Sequence, residues 1–259
     1  MFNSQLTKRM AIIVGFVVLC LILGGLLYLL LSSKPTCFDG KQNQSEKSVD
    51  CGGVCGPCQA NFTSEDLIIK EKTFVSGGNN TYDAIIKIAN PNTLVGASSF
   101  HYIVELQDNA GVVLATREGD DFILPADGKY VAQLGLITTD NIAPTQLHFS
   151  IKQIKWSQLA KGIEKPQLNV YNKKFAPDAS GLGSRAEGVI RNESGSDFKE
   201  ISVVVILRDE KGNVLGVNTT QKDGLRARAE GDFTLTWPYA FSAAVQNMEV
   251  EAQTNVFEK

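Results

Sequence analysis

The chain has 259 residues, room for one large domain or two of ordinary size. Charged residues make up 20% and hydrophobic ones 43%, a globular composition rather than a disordered one. A formal net charge of -3, with no Lys/Arg block or basic stripe interleaved with aromatics, argues against nucleic acid as a partner.

After a ten-residue tail (1–10) carrying Lys8 and Arg9, residues 11–31 read AIIVGFVVLCLILGGLLYLLL, without a charge. As a helix this run is roughly 31 Å long, a match to a hydrocarbon core of about 30 Å, so the sequence predicts a transmembrane helix over 11–31 that partners the lipid bilayer. A cleaved signal peptide is the rival, but its apolar region is shorter and ends in small residues. A lipoprotein signal fits poorly because Leu19 precedes Cys20. Gly15, Gly24 and Gly25 lack GxxxG spacing, and Cys20 reads as a small hydrophobe. The acid-free tail favours a cytoplasmic N-terminus, although Lys34, Lys41 and Lys47 nearly balance the count on the far side.

Four of the five cysteines, Cys37, Cys51, Cys55 and Cys58, fall within residues 36–58, and none follows. Two disulfides with three possible connectivities are one solution; a zinc site of four thiolates is the other. A segment with so few apolar side chains needs one staple or the other to hold a shape. The pattern resembles a small cysteine-rich repeat of bacterial surface and secreted proteins, C-x-D-G-x-x-N-x-x-E-x-x-V-D-C-G-G-x-C-x-x-C, met at every fixed position from Cys37 to Cys58. The resemblance implies an oxidising, extracytoplasmic setting with all four cysteines in disulfides. It thereby implies an N-terminus in the cytoplasm and C-terminal domains outside, on a single-pass protein of the cell membrane. Asp39, Asn43, Glu46 and Asp50 offer oxygens of the kind calcium takes, without the order of a known loop. Solvated turn chemistry is the alternative for them.

The rest of the chain repeats itself. Residues 100–116 can be laid on 201–217, placing Leu106 on Leu207, Asp108 on Asp209 and Gly111 on Gly212 at an offset of 101. Lys87–Asn90 answers Val189–Asn192, and Gln146–Phe149 answers Asn247–Val250, so duplication is the natural reading. Each copy reads as β. Ile201, Val203, Val205 and Leu207 lie on one face of a strand with Val204 and Ile206 on the other. The loops 108–111 and 209–212 place Gly where a hairpin needs positive φ. Turns recur without a long amphipathic helix between them. The sequence therefore predicts an all-β protein, two tandem immunoglobulin-like β-sandwiches at 60–160 and 166–259. A transmembrane helix and a cysteine-rich stalk precede them, and a short linker at 161–166 joins them and restricts their relative motion.

The stretch Gly188–Trp237 resembles the FxLYD-type extracytoplasmic domain, through Asn192, Phe198, Val203, Val205, Leu207, Asp209 and Gly212. It departs in having Arg208 where the name-giving Tyr would stand. Ile88–Asn92 resembles the N-P-N strand end of the WHy, or late-embryogenesis-abundant type 2, sandwich. Both resemblances imply binding or structural roles and supply no catalytic residues.

No nucleophile elbow, phosphate loop or metal-binding His spacing occurs. His101 and His148 read as half-exposed strand positions, Asp120–Asp121 and Glu249–Glu251 as the paired carboxylates of any acidic β protein, and Trp156 and Trp237 as core plugs. The tripeptides at Asn43, Asn61, Asn79, Asn192 and Asn218 match glycosylation acceptors. The expectation is thus a non-enzymatic, cofactor-free envelope protein presenting its sandwiches to a protein or envelope-polymer partner. The alternative is the extracytoplasmic ligand-recognition subunit of a sensory or transport assembly, with a ligand held between the domains.

Overall fold

The computed structural model describes residues 4–31, 41–46, 51, 53–55, 64–139, 142–160, 162–177, 182–241 and 243–257. The chain divides into two compact units, Met1–Phe62 and Thr63–Lys259.

In the first unit, helix α1 spans Ser4–Leu31. Its side chains are described at Arg9, Met10 and residues 13–25, and all are exposed. They are apolar around the whole circumference from Ile13 to Leu23, without an amphipathic stripe. Among the described residues no helix is long and apolar enough to cross a membrane, so the span expected over 11–31 is not supported by the structure.

The cysteine-rich segment turns at Asn43–Glu46, where the Glu46 N–H donates to the Asn43 carbonyl at 2.8 Å. Gln44 and Ser45 both have positive φ, the mark of a primed turn. Glu46 is buried, accepts the Asn43 N–H on Oε2 at 3.0 Å, and sets Oε1 3.0 Å from Cys55 Sγ. Gly53 has φ +60, and a Cβ there would stand 2.2 Å from the Ser45 carbonyl oxygen, so no other residue fits. Cys51 and Cys55 are disulfide-bonded and Cys20 is free. Cys37 and Cys58 lie outside the described residues, as do Asp39 and Asp50 of the candidate calcium set.

The second unit is all-β. Its strands are β1 (Ile68–Gly78), β2 (Thr81–Ala89), β3 (Gly96–Gln107), β4 (Val113–Ile123), β5 (Gly128–Ile137) and β6 (Gln146–Ser157). A second set follows: β7 (Leu168–Pro177), β8 (Ser184–Asn192), β9 (Phe198–Arg208), β10 (Val214–Leu225), β11 (Glu230–Trp237) and β12 (Asn247–Gln253). They form four three-stranded antiparallel sheets, ordered β1-β2-β5, β4-β3-β6, β11-β8-β7 and β10-β9-β12. Adding six to each strand number of the first copy gives the sheets of the second, so the two copies share one topology.

The repeat extends to hydrogen bonds. Asp108 and Asp209 each accept, on Oδ1, the N–H groups two and four residues on, at 2.8–2.9 Å. Gly111 and Gly212 close the two hairpins with φ +79 and +83. Asn90 Nδ2 donates to the carbonyls of Val95 and Leu124; Asn192 Nδ2 donates to those of Ser196 and Leu225, each acceptor displaced by the same 101 residues. These two asparagines are 3% and 0% exposed. Each plugs the end of its copy by tying two loops together, and at Asn192 this leaves no accessible acceptor for a glycan.

Each copy closes over its own core. Phe100, Val104, Leu106, Ile86 and Ile88 fill the first, and Ile190, Ile201, Val203, Val205 and Leu207 the second. Trp237 is 3% exposed and donates Nε1–H to the Val217 carbonyl at 3.2 Å, while Trp156 is half-buried against the first core. Both are core residues.

Candidate functional site

β2 and β9 bury side chains on both faces. A sandwich core uses only one face of a strand, so the other face of each must be covered by something else. What covers them is the other copy. Ile85 and Tyr130 of the first copy pack against Val204, Ile206 and Val217 of the second, with Ala132, Leu134 and Val214 partly buried beside them. The sheet β1-β2-β5 thus lies against the sheet β10-β9-β12, and the two sandwiches meet through a third apolar core.

Arg208, the last residue of β9, ties one flank of this junction. Its Nη1 and Nη2 donate to Glu71 Oε1 and Oε2 on β1, both at 2.9 Å, a fork-to-fork pair across the copies. Its Nε donates to Glu249 Oε1 at 2.7 Å, and Nη1 donates to the Gly212 carbonyl at 3.0 Å. The Tyr130 hydroxyl donates to Glu249 Oε2 at 2.8 Å and accepts from Lys87 Nζ at 3.1 Å. The hydrogen bonds to Glu71 hold the guanidinium pKa above its ordinary value against the opposing effect of burial. Burial pushes Glu249 up, but the Tyr130 hydroxyl and Arg208 outweigh it and hold the carboxyl below its usual range.

β12 continues the contact. Glu251 Oε1 accepts the Tyr130 backbone N–H at 2.8 Å, and Gln253 Nε2 donates to the Gly128 carbonyl at 2.9 Å. Burial pushes the Glu251 carboxyl up to about 7, with Lys129 only partly offsetting it. Beside these residues a cavity of about 390 Å³ opens between the copies, bounded by Lys129 and Asp121 on one side and Ser202, Thr219 and Gln221 on the other. Lys129 is 5% exposed, ion-pairs with Asp121, and sits 3.6 Å above the Phe122 ring centre.

The remaining candidates fall elsewhere. His101 contacts Asp120 at 3.2 Å and Glu118 at 3.5 Å on the outer face of β3, and His148 lies 3.7 Å from Glu105. Asp120 and Asp121, adjacent in sequence, point apart: one to His101, the other to Lys129. Glu249 and Glu251 both face the junction. Among the described residues no group of three or more His, Cys, Asp or Glu could hold a metal ion. The linker is fastened to the first copy through Lys165 and Asp127 at 3.0 Å; its Lys161 lies outside the described residues.

The sequence reading did not assign the junction to residues. A signal existed in the repeat itself: Ile206 and Val217 answer Glu105 and Thr116 at the offset of 101, and Ile85 answers Glu187 at 102, after the one-residue shift of the upstream match Lys87–Asn90 to Val189–Asn192. At these positions one copy is apolar where the other is polar, while Val204 answers the apolar Ile103.

No family model matches the chain, and no curated protein matches it. Among solved structures it is similar to red sea bream transglutaminase at 8% identity and TM-score 0.23, over 76% of this chain and 30% of that one. It is similar to the calcium binding domain CBD12 of CALX1.1 at 12% identity and TM-score 0.21, over 71% of this chain and 79% of that one. An exo-chitosanase, CsxA of Amycolatopsis orientalis, follows at 8% identity and TM-score 0.20, over 70% and 26%. The chain spans under a third of the transglutaminase and of the chitosanase. Likeness at this level carries no argument about function.

Proposed function

We propose that this is a membrane-anchored, extracytoplasmic, non-enzymatic protein of the cell envelope that presents two joined immunoglobulin-like sandwiches to a protein or polymer partner. The junction carries the reading. Two sandwiches that share an apolar core and the Arg208–Glu71 pair act as one stiff body, which suits holding a surface at a fixed place better than closing over a substrate. Their own cores are filled, so what they bind must meet edges, loops or the junction. The anchor rests on the sequence alone, the uncharged run 11–31. The disulfide-bonded Cys51 and Cys55 support an oxidising compartment, and the resemblances to the bacterial cysteine-rich repeat and the FxLYD and WHy domains agree with it.

Full-length protein expressed in a bacterium should stay with membranes through high-salt and carbonate washes. Protease added to spheroplasts should remove the sandwiches from outside. A soluble form beginning near Lys34 would overturn the anchor, and sandwiches protected until lysis would overturn the orientation.

A further inference from the structure

We propose that the cavity between the two sandwiches is a binding site for a small hydroxylated ligand bearing a primary ammonium group, held by Glu251. Its volume of about 390 Å³ is in the range of small-ligand sites. Ala132 and Val204 give it an apolar floor, and Ser202, Thr219 and Thr220 supply hydroxyls. One acceptor is in excess. Among the described residues Glu251 accepts only the Tyr130 N–H, on Oε1, and its Oε2 takes no donor. A half-buried carboxylate oxygen without a donor costs free energy, so a ligand that supplies donors gains by entering.

The charge around the cavity selects the kind of donor. Lys129, the cation in its wall, is committed to Asp121 and to the Phe122 ring. A second cavity of about 910 Å³ shares Ser202 and Gln253 with the first and adds Glu164, Asp197 and Glu200 against Lys199. The lining of the two cavities is therefore negative, and an ammonium with its three donors satisfies Glu251 and the neighbouring hydroxyls. Because the ligand would touch both copies, its binding would tighten the junction. This inference does not rest on the membrane reading.

The test compares 2-amino-1,3-propanediol with glycerol, which differ only in an ammonium against a hydroxyl, by saturation-transfer NMR on the full chain. The amine should bind at least ~10-fold more tightly. The groups facing Glu251 are Lys129, Asp127 and Lys87, and its carboxylate form grows as pH rises through about 7. Preference for the amine should therefore grow roughly 10-fold between about pH 6 and pH 8 in the unaltered protein. Glu251→Gln should abolish the preference while leaving weak glycerol binding. Equal affinity for the two probes, no binding of either at about 50 mM, or a preference independent of pH would overturn the proposal. The pH series on the unaltered chain decides the matter should Glu251→Gln fail to fold.

Discussion

Replacing Arg208 by Met tests whether the junction is a structural clamp or a decorated contact. Methionine keeps most of the apolar stem and removes the guanidinium. The change deletes two hydrogen bonds to Glu71 at 2.9 Å and one to Glu249 at 2.7 Å. It leaves two carboxylates facing each other's sheet without their cation. Breaking a fully buried pair costs about 3–5 kcal/mol, because the abandoned charge stays buried. Here Glu71 and Glu249 keep 32% and 34% side-chain exposure, so water recovers part of that. Lys87 also remains, joined to Glu249 through the Tyr130 hydroxyl. The expected loss is therefore about 2–3 kcal/mol. Urea unfolding followed by far-ultraviolet circular dichroism and by tryptophan fluorescence reads it, since Trp156 and Trp237 report one copy each. The unaltered protein should unfold in one coincident transition and Arg208→Met in two, because the copies lose their coupling. A cycle with Glu71→Gln should give a coupling of about 1.5 kcal/mol or more. A loss under about 0.5 kcal/mol together with zero coupling would show that apolar packing alone joins the copies and that the clamp argument fails.

Leu207 is fully buried in the second core, so Leu207→Ala should lower that copy's stability by about 2–5 kcal/mol in the same assay. Asn192→Ala should cost about 3 kcal/mol or more, since it leaves the carbonyls of Ser196, Leu225 and Arg226 without their donor. The Glu251 carboxyl is raised from 4.5 to about 7. The native state therefore binds a proton that the unfolded chain has released within that window, and stability falls as pH rises through it. After a discount for residual exposure the contribution is about 2 kcal/mol, and Glu251→Gln should flatten the stability difference between about pH 5 and pH 8 by that amount.

Much of the fold was legible because the duplication doubled each signal. Asp-x-x-Gly marks both hairpins, and in each case the Asp carboxylate and the positive-φ glycine do what the spacing implies. The apolar run of β9 puts apolar residues on both faces of the strand, and both faces are buried. Which core each face meets is not in the run: Val203, Val205 and Leu207 fill the second copy's own core, and Val204 and Ile206 the junction. Asn90 and Asn192 stand at strand ends; that they are buried plugs is not legible, because a polar residue is buried only when its partners close around it, and one partner of each, Leu124 and Leu225, lies more than thirty residues away. Arg208 was noticed only as a departure from a family pattern. Its partner Glu71 is 137 residues distant, and neither composition nor periodicity reports a pairing of that kind. In the cysteine-rich segment, Gly53 has its reason in the Ser45 carbonyl that crowds it. Cys37, Cys58, Asp39 and Asp50 lie outside the described residues.

The difference between the copies follows from the way they are stacked. The junction joins the β1-β2-β5 face of one copy to the β10-β9-β12 face of the next, which are unlike surfaces. A contact between unlike surfaces does not close on itself. If both copies carried both surfaces, a third sandwich from another chain could add at either end, and another after it. The outer faces of the pair are altered where this would happen. On the first copy's free sheet, Glu105 and Thr116 stand where the second has Ile206 and Val217. On the second copy's free sheet, Glu187 stands where the first has Ile85, and its strand partner Thr234 where Ile85 pairs with Ala132. Arg208 has no counterpart either, since Gln107 occupies its place in the first copy. Polar residues at these positions disfavour a further sandwich stacking there, as polar outer faces do in a repeat array. Apolar residues at the junction and polar ones at the matching outer positions therefore suit a pair joined through this one contact.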